Sequence, residues 1–169
     1  AGVEAIERMN TLGILVDLSH CGRQTAADAI RHSKKPVAFT HTGSAALADL
    51  PRNRTDEELR AVAEKGGVSG IYFMPFLNPG KQPTAADVIR HLEHMIEVAG
   101  EDHVSIGTDG GISPEVLDQE YKDRFAGFTR ERQEAGIAAP GESEEGYLFA
   151  SDLNTSRRFE TLADMLSAR

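Results

Sequence analysis

The sequence predicts an α/β protein in which short parallel strands alternate with helices. Four short runs are almost continuously apolar, at residues 13–18, 36–40, 68–73 and 104–108. Runs of this kind are typical of strands that are covered on both faces, as in a parallel sheet. Helical patterns lie between them, and the strands recur at intervals of about 20–35 residues, which indicates βα units with right-handed crossovers.

The first three helices are predicted from their composition and from their start and stop signals. Segment 1–12 has apolar residues at every third position of its first turns, and segment 23–32 is rich in alanine. Thr55 and Glu58 form a capping box that opens a third helix, and the glycine pair 66–67 ends it. Each of these helices precedes or connects strands, as a βα repeat requires.

Thr84 opens a fourth helix with one apolar stripe, and Gly100 ends it before the fourth strand. The regular alternation of strands and helices ends after that strand. Residues 112–154 contain prolines, glycines and an acidic run, so we expect an insertion or loop region with a helical stretch at about 114–133. A last helix is predicted from Thr155 to the end of the chain.

Composition and charge exclude several classes of protein. The chain has 169 residues, of which 40% are hydrophobic and 27% charged, so we expect a single globular domain over 1–169. A net charge of −9 makes nucleic acid an unfavourable partner. No apolar run approaches the ~20 residues of a membrane-spanning helix. Because the chain opens on Ala1, directly in a helical pattern, we expect it to be a fragment.

Three of the predicted strands end on a side chain that can bind metal or move protons. His20 follows the first strand, His41 the second and Asp109 the fourth. Sites in parallel α/β proteins form at the carboxyl ends of strands, where two imidazoles can bind zinc and a carboxylate can transfer protons. The alternative is that each histidine is a loop residue bonded to backbone. Catalytic zinc usually has three protein ligands, so these residues predict half of a metal site.

Three segments together resemble one enzyme family. They are GILVDLSHCG at 13–22, KPVAFTHTGSAALADLPRNRTDEELRAVAEKGGVSGIYFMPF at 35–76, and TAADVIRHLEHMIEVAGEDHVSIGTDGG at 84–111. In this order they resemble the renal or membrane dipeptidases, the zinc peptidases of family M19. The distinctive features are a strand ending in DLSH, a strand ending in histidine, a Pro-Arg-Asn soon after it, the HLEH helix and a final strand ending in Gly-x-Asp.

The resemblance implies a TIM-like (β/α)8 barrel of the metallo-hydrolase kind, with two zinc ions in its site. This chain would supply about strands five to eight and their helices. By resemblance, His20 and His41 are ligands of the second zinc, and Arg52 holds the substrate carboxylate through its planar guanidinium. Asp109 resembles the eighth-strand aspartate that handles protons. Tyr72 lies where the family lines its pocket, although a core tyrosine is the alternative interpretation.

Two departures from the family pattern affect the expected activity. The ligands of the first zinc and the bridging glutamate belong to strands that precede this chain, so we expect the isolated chain to be inactive. The last strand reads Asp109-Gly110-Gly111 where family members have Asp-Phe-Asp-Gly. This replacement leaves the substrate preference open.

The predicted function is zinc-dependent hydrolysis of dipeptides by the full-length protein, with a small peptide as substrate. One alternative is a divergent amidohydrolase that acts on another amide or in a biosynthetic step. Another is a non-catalytic binding module with a dipeptidase-like pocket. Because half a barrel leaves two strand edges unpaired, we also expect association, with a homodimer as one form.

Overall fold

The computed structural model describes residues 1–111, 113–138 and 142–168. Helices and strands alternate through the first two thirds of the chain, and the elements that follow in the described residues are helices. In chain order the elements are α1 Gly2–Leu12, β1 Val16–Asp17, α2 Arg23–His32, β2 Val37–Thr42, α3 Asp56–Glu64, β3 Val68–Ile71, α4 Ala85–Ala99, β4 Val104–Ile106, α5 Gln119–Glu134 and α6 Arg158–Ser167. Short 3-10 turns lie at Pro75–Leu77, Glu101–His103 and Ser151–Leu153.

In the described part of the chain, four strands form one parallel sheet in the order β1-β2-β3-β4. Each strand pairs with the next strand along the chain, as expected when a helix connects parallel neighbours. The predicted α/β fold class with a parallel sheet is therefore confirmed. The assignment of these strands to positions five to eight of a barrel stays a prediction.

The first strand is shorter than the sequence predicts. Gly13 has a φ of 69° and ends α1 in the left-handed conformation, and the Ile14 amide donates to the Met9 carbonyl at 2.9 Å. The backbone at 13–14 is thus used to cap α1 and is not available for the sheet. Pairing with β2 begins only at Val16, opposite Val37.

The capping signals of α3 act as predicted. The Glu58 amide donates to the Thr55 hydroxyl at 3.3 Å, and the Thr55 amide donates to the Glu58 carboxylate at 2.9 Å. These two bonds satisfy amides that the first helical turn leaves without backbone partners. After α3, Gly66 adopts a φ of 74°, a left-handed conformation that glycine tolerates at little cost.

The region after β4 contains the predicted helical stretch, but α5 begins later than expected. Asp118 caps α5, and its side chain accepts a hydrogen bond from the Tyr121 amide at 2.9 Å. Asp is a preferred N-cap residue, and at position 118 it sets the start of α5 at Gln119, five residues after Pro114. Within the predicted insertion 112–154, residues 112 and 139–141 lie outside the described part of the chain, as does the terminal residue 169.

The chain divides into two compact units, which are Ala1–Tyr72 with His91–Thr108, and Phe73–Arg90 with Asp109–Arg169. In the first unit, α1, α2 and α3 accompany the sheet. Its core contains Val16, Leu18, Ala26, Ala29, Val37, Phe39 and Val62. In the second unit, rings from α5 and the segment before α6 pack together, namely Tyr121, Phe125, Tyr147 and Phe149. Among the described residues, no helix combines the length and apolar character that crossing a membrane demands.

Candidate metal centre

Two imidazoles face each other at the carboxyl edge of the sheet in the first unit. The Nε2 atoms of His20 and His41 are 2.9 Å apart, and the rings meet edge to face at a centroid distance of 4.9 Å. His20 lies just after β1, and His41 lies near the end of β2. Because β1 and β2 are parallel neighbours, their carboxyl ends meet at one edge. The structure thus brings the two predicted ligands together, and their role as metal ligands stays a prediction.

A β-bulge explains the direction of the His41 side chain. Phe39 pairs with Ser69, and Thr42 pairs with Ile71, so β2 uses one more residue than β3 over this stretch. The extra residue falls at 40–41. A bulge bends its strand and turns a side chain away from simple alternation, and bulges are frequent beside functional sites.

A directed chain of hydrogen bonds runs through the two histidines. Nη1 of Arg52 is 2.9 Å from Nδ1 of His20, and a guanidinium can only donate. The His20 Nδ1 therefore accepts, and its Nε2 carries the proton that is donated to Nε2 of His41. Nδ1 of His41 then donates to the Thr40 hydroxyl at 2.9 Å, which donates to Oδ2 of Asp17 at 2.7 Å. Each neutral imidazole consequently has one defined tautomer.

Asp17 supplies the negative charge at the end of this chain. Its Oδ1 accepts from the Ser19 hydroxyl at 2.6 Å, from the Ser19 amide at 3.0 Å and from the Thr40 amide at 3.2 Å. Burial raises the pKa of the Asp17 carboxyl, but the hydrogen bonds from Ser19 and Thr40 outweigh it and lower the pKa from 3.8 to about 2. A charged Asp17 at neutral pH thus orients Thr40, and Thr40 orients His41.

The donor set fits two ligands of a zinc ion. Zinc bonds of about 2.0–2.1 Å with tetrahedral angles put two ligand nitrogens roughly 3.4 Å apart, so the observed 2.9 Å would have to lengthen by about 0.5 Å. His41 already donates its Nδ1 proton to an oxygen partner, as metal-bound imidazoles do. To bind zinc through Nε2, His20 would have to lose the proton on that atom. A neutral ring would then carry its proton on Nδ1, which could no longer accept from Arg52. In the described part of the chain, no group of three or more His, Cys, Asp or Glu side chains is arranged to hold a metal ion.

The remaining predicted site residues have different surroundings. Tyr72 is completely buried, and its hydroxyl donates to the side-chain oxygen of Asn53. Asn53 in turn donates to the Ala48 carbonyl at 2.7 Å, so Tyr72 anchors the segment that carries Arg52. A substrate contact of Tyr72 stays a prediction. Asp109 belongs to the second unit and has a φ of 57°, and its catalytic role also stays a prediction.

The histidines of α4 within the first unit contact protein groups. His91 is fully buried and accepts from the Ser44 amide at 3.0 Å through Nδ1. Nε2 of His94 lies 2.9 Å from the Asp56 carboxylate at the start of α3. Both imidazoles are therefore held by other groups of the protein.

Sequence reasoning missed the groups that support the two imidazoles. Ser19 and Thr40 directly precede the histidines and complete the network, and Asp17 ends β1. A weak signal was present, since a hydroxyl residue precedes each histidine. Arg54 was also missed, because an arginine directly before the helix cap Thr55 has no pattern that indicates burial.

The fold and the site define the class of protein to which this chain belongs, and a family model defines its family. A parallel α/β sheet with imidazoles converging at its carboxyl edge is typical of metal-dependent hydrolases. The family model described as membrane dipeptidase, peptidase family M19, matches residues 1–133. The chain therefore belongs to this family, as its sequence motifs predicted.

Individual relatives agree with this assignment. An uncharacterised dipeptidase of Schizosaccharomyces pombe is 39% identical over 111 residues, which is 64% of this chain and 27% of the relative. The crystal structure of an amidohydrolase from Pseudomonas aeruginosa has a TM-score of 0.77 and 31% identity, and the match covers 99% of this chain and 49% of that one. Dipeptidase AC, a metallopeptidase of family M19, has a TM-score of 0.61 and 34% identity, covering 64% and 33%. The chain thus spans about half or less of the length of each of these proteins.

Proposed function

We propose that this chain is part of a zinc-dependent dipeptidase and supplies about strands five to eight of a (β/α)8 barrel. The observation that carries the proposal is the approach of the His20 and His41 Nε2 atoms to 2.9 Å at the carboxyl edge of the sheet. Membership of the membrane dipeptidase family supports the reaction class. The short match to the full length of the relatives supports the partial barrel.

The proposed site divides its tasks between the metal and the side chains. His20 and His41 would hold one zinc ion, and zinc in such sites polarises a carbonyl and lowers the pKa of water. Arg52 would bind the terminal carboxylate of the peptide through two parallel hydrogen bonds. In the structure Nη1 of Arg52 donates to His20, so this bond and the carboxylate contacts would share the five N–H groups of the guanidinium. Asp109 would pass a proton to the leaving amine.

The isolated chain is expected to be inactive. Its described residues contribute two imidazoles, and no larger group of metal-binding side chains is found among them. Catalytic zinc sites usually have three protein ligands. Purified 1–169 with added zinc should therefore leave dipeptides intact, and measurable zinc-dependent turnover would contradict the ligand count.

A panel of substrates tests the activity of the longer protein that this proposal implies. Hydrolysis of dipeptides should require zinc, should stop with a chelator and should be abolished by His20→Ala. His32→Ala is the matched control, because His32 is exposed at the end of α2. Full turnover by the His20→Ala variant would refute the role of His20.

A second candidate activity is hydrolysis of another amide. The Asp109-Gly110-Gly111 sequence departs from the family pattern, and the amidohydrolase from Pseudomonas aeruginosa is similar over almost all of this chain. The substrate panel should therefore include N-acyl amino acids beside dipeptides. Turnover of these compounds without turnover of dipeptides would favour the amidohydrolase. Zinc-dependent binding of peptides without any turnover would favour the binding module.

A further inference from the structure

We propose that Arg54 is the positioning residue that fixes His20 against His41. Its guanidinium is buried, with 1% of the side chain exposed. Nη2 of Arg54 lies 3.0 Å from the Leu18 carbonyl, 2.9 Å from the Ser19 carbonyl and 2.9 Å from the Cys21 carbonyl. Leu18 and Ser19 precede His20, and Cys21 follows it. One donor group therefore holds the backbone on both sides of the candidate ligand.

The backbone of Arg54 contacts the segment after the other ligand. The Arg54 amide donates to the Gly43 carbonyl at 2.9 Å, and the Ala45 amide donates to the Arg54 carbonyl at 2.8 Å. Gly43 follows β2, two residues after His41. Arg54 is thus joined through its side chain to the His20 segment and through its main chain to the His41 segment. This double connection sets the distance between the two candidate ligands.

The guanidinium itself is held in one orientation. Its carbon lies 4.5 Å from the centre of the Phe39 ring, and Nη1 is 3.3 Å from the Glu58 carboxylate. The second oxygen of Glu58 accepts from the Thr55 amide in the capping box of α3. A planar cation between an aromatic face and a fixed carboxylate loses little further freedom when it binds three carbonyls.

Burial of an arginine is costly unless its bonds are satisfied, and an apolar core would often be as stable. We infer that this cost in stability is retained because Arg54 determines the conformation of the site. This inference rests on the proposed metal role of His20 and His41. Supporting groups around metal ligands typically change metal affinity by about 10–100-fold when they are removed.

The test compares the wild-type chain with Arg54→Met, Arg54→Lys and the control Thr55→Ala. Methionine keeps the length and loses every donor, while lysine keeps the charge and loses the planar fork. Thr55→Ala removes the helix cap, but Thr55 does not bond to the carbonyls of 18–21. All measurements are made at a temperature where each variant is folded by circular dichroism.

The first measurement needs no metal. The ring ¹⁵N shifts of the wild type should show the proton on Nε2 of His20 and on Nδ1 of His41, and the Cys21 amide, which donates to the Leu18 carbonyl, should exchange slowly. In Arg54→Met the His20 tautomers should average and the Cys21 amide should exchange at least tenfold faster. Arg54→Lys should show a smaller change. Thr55→Ala should keep the wild-type pattern, because a general loss of stability would not change the tautomer of one histidine selectively.

The second measurement is Co²⁺ binding followed by visible absorption. Arg54→Met should bind about 10–100-fold more weakly than the wild type, and Thr55→Ala should stay within about twofold. An unchanged His20 tautomer in folded Arg54→Met would overturn the inference, as would unfolding of both Arg54 variants, because Arg54 would then be a structural residue only. If the wild type does not bind Co²⁺ but His20 still averages in Arg54→Met, the positioning role stands and the metal proposal fails.

Discussion

Asp17 is the residue whose charge orders the candidate centre. Its carboxyl accepts four hydrogen bonds from Ser19 and Thr40 and has a pKa of about 2. A depressed pKa in the folded state stabilises the protein above the unfolded pKa of about 3.8. That stabilisation should be lost as the pH falls from about 4 through about 2. Since the side chain is exposed, we expect a contribution of about 1 kcal/mol, below the full value of the shift.

The hydroxyl of Thr40 allows this contribution to be measured. Thr40→Val removes one donor to Asp17 and should raise its pKa towards 3.8, since fewer bonds then favour the charged form. The midpoint of the Asp17 carboxyl ¹³C shift gives the pKa directly. An equal midpoint in the wild type and Thr40→Val would show that Thr40 does not stabilise the charge.

Arg52 and His20 should affect different properties of the longer protein. Arg52→Lys keeps the charge but loses the planar fork, so it should weaken substrate binding at least tenfold and leave the zinc content unchanged. His20→Ala removes a proposed ligand and should empty the second zinc position. Metal analysis together with the KM for a dipeptide distinguishes the two effects. Equal loss of zinc in both variants would mean that Arg52 maintains the structure of the site.

At the scale of elements, two glycines allow the sheet to close around the β2 bulge. A Cβ atom on Gly107 would lie 1.8 Å from the Thr40 carbonyl oxygen, and one on Gly70 would lie 2.3 Å from it. Both neighbours are backbone atoms, which cannot move aside as a flexible side chain can. The close approach of β3 and the end of β4 to the bulge therefore requires glycine at both positions.

Gly107→Ala should consequently destabilise the chain by about 3 kcal/mol, the upper part of the usual range for overpacking. It should also move His41, which follows Thr40. Gly2→Ala is the control, because a Cβ there contacts nothing within 4 Å, and alanine in α1 should stabilise by up to about 1 kcal/mol. Urea unfolding measures both changes. Similar free energies of unfolding in the two variants would show that the sheet adapts to the added methyl group.

At the scale of the whole molecule, the edges of the sheet determine how the chain behaves in solution. Among the described residues, β1 pairs only with β2, and β4 pairs only with β3. Apolar side chains next to or within these edges are exposed, with 50% for Ile14, 54% for Leu15 and 41% for Ile106. Open strand edges with apolar side chains favour pairing with another chain.

We therefore expect purified 1–169 to form dimers or larger species, and light scattering should show a mass that rises with concentration. Leu15→Lys should reduce this association, since a charged side chain at an edge opposes strand pairing. Arg8→Glu, a change on the exposed face of α1, serves as the control. A monomer that melts cooperatively at all concentrations would contradict the barrel assignment, and the strands would have to be assigned to another architecture.

Periodicity and local signals in the sequence were sufficient for the order of elements, the parallel sheet and the pairing of the two histidines. Strand runs at 36–40 and 68–73 and the capping box at Thr55 are local features, so their signals do not depend on distant residues. The family motifs added the expected roles of Arg52 and Asp109. These predictions rest on signals that lie within short segments of the sequence.

Tertiary structure alone decided how the histidines are held. The bulge at 40–41 depends on the register between β2 and β3, and the early end of β1 depends on where pairing with β2 begins. Burial of Arg54 depends on carbonyls more than 30 positions earlier in the chain. Such contacts arise from packing between elements that are distant in sequence, and no local pattern encodes them. The residue types at the candidate centre were therefore predictable, whereas the supports that orient them became visible only in the folded chain.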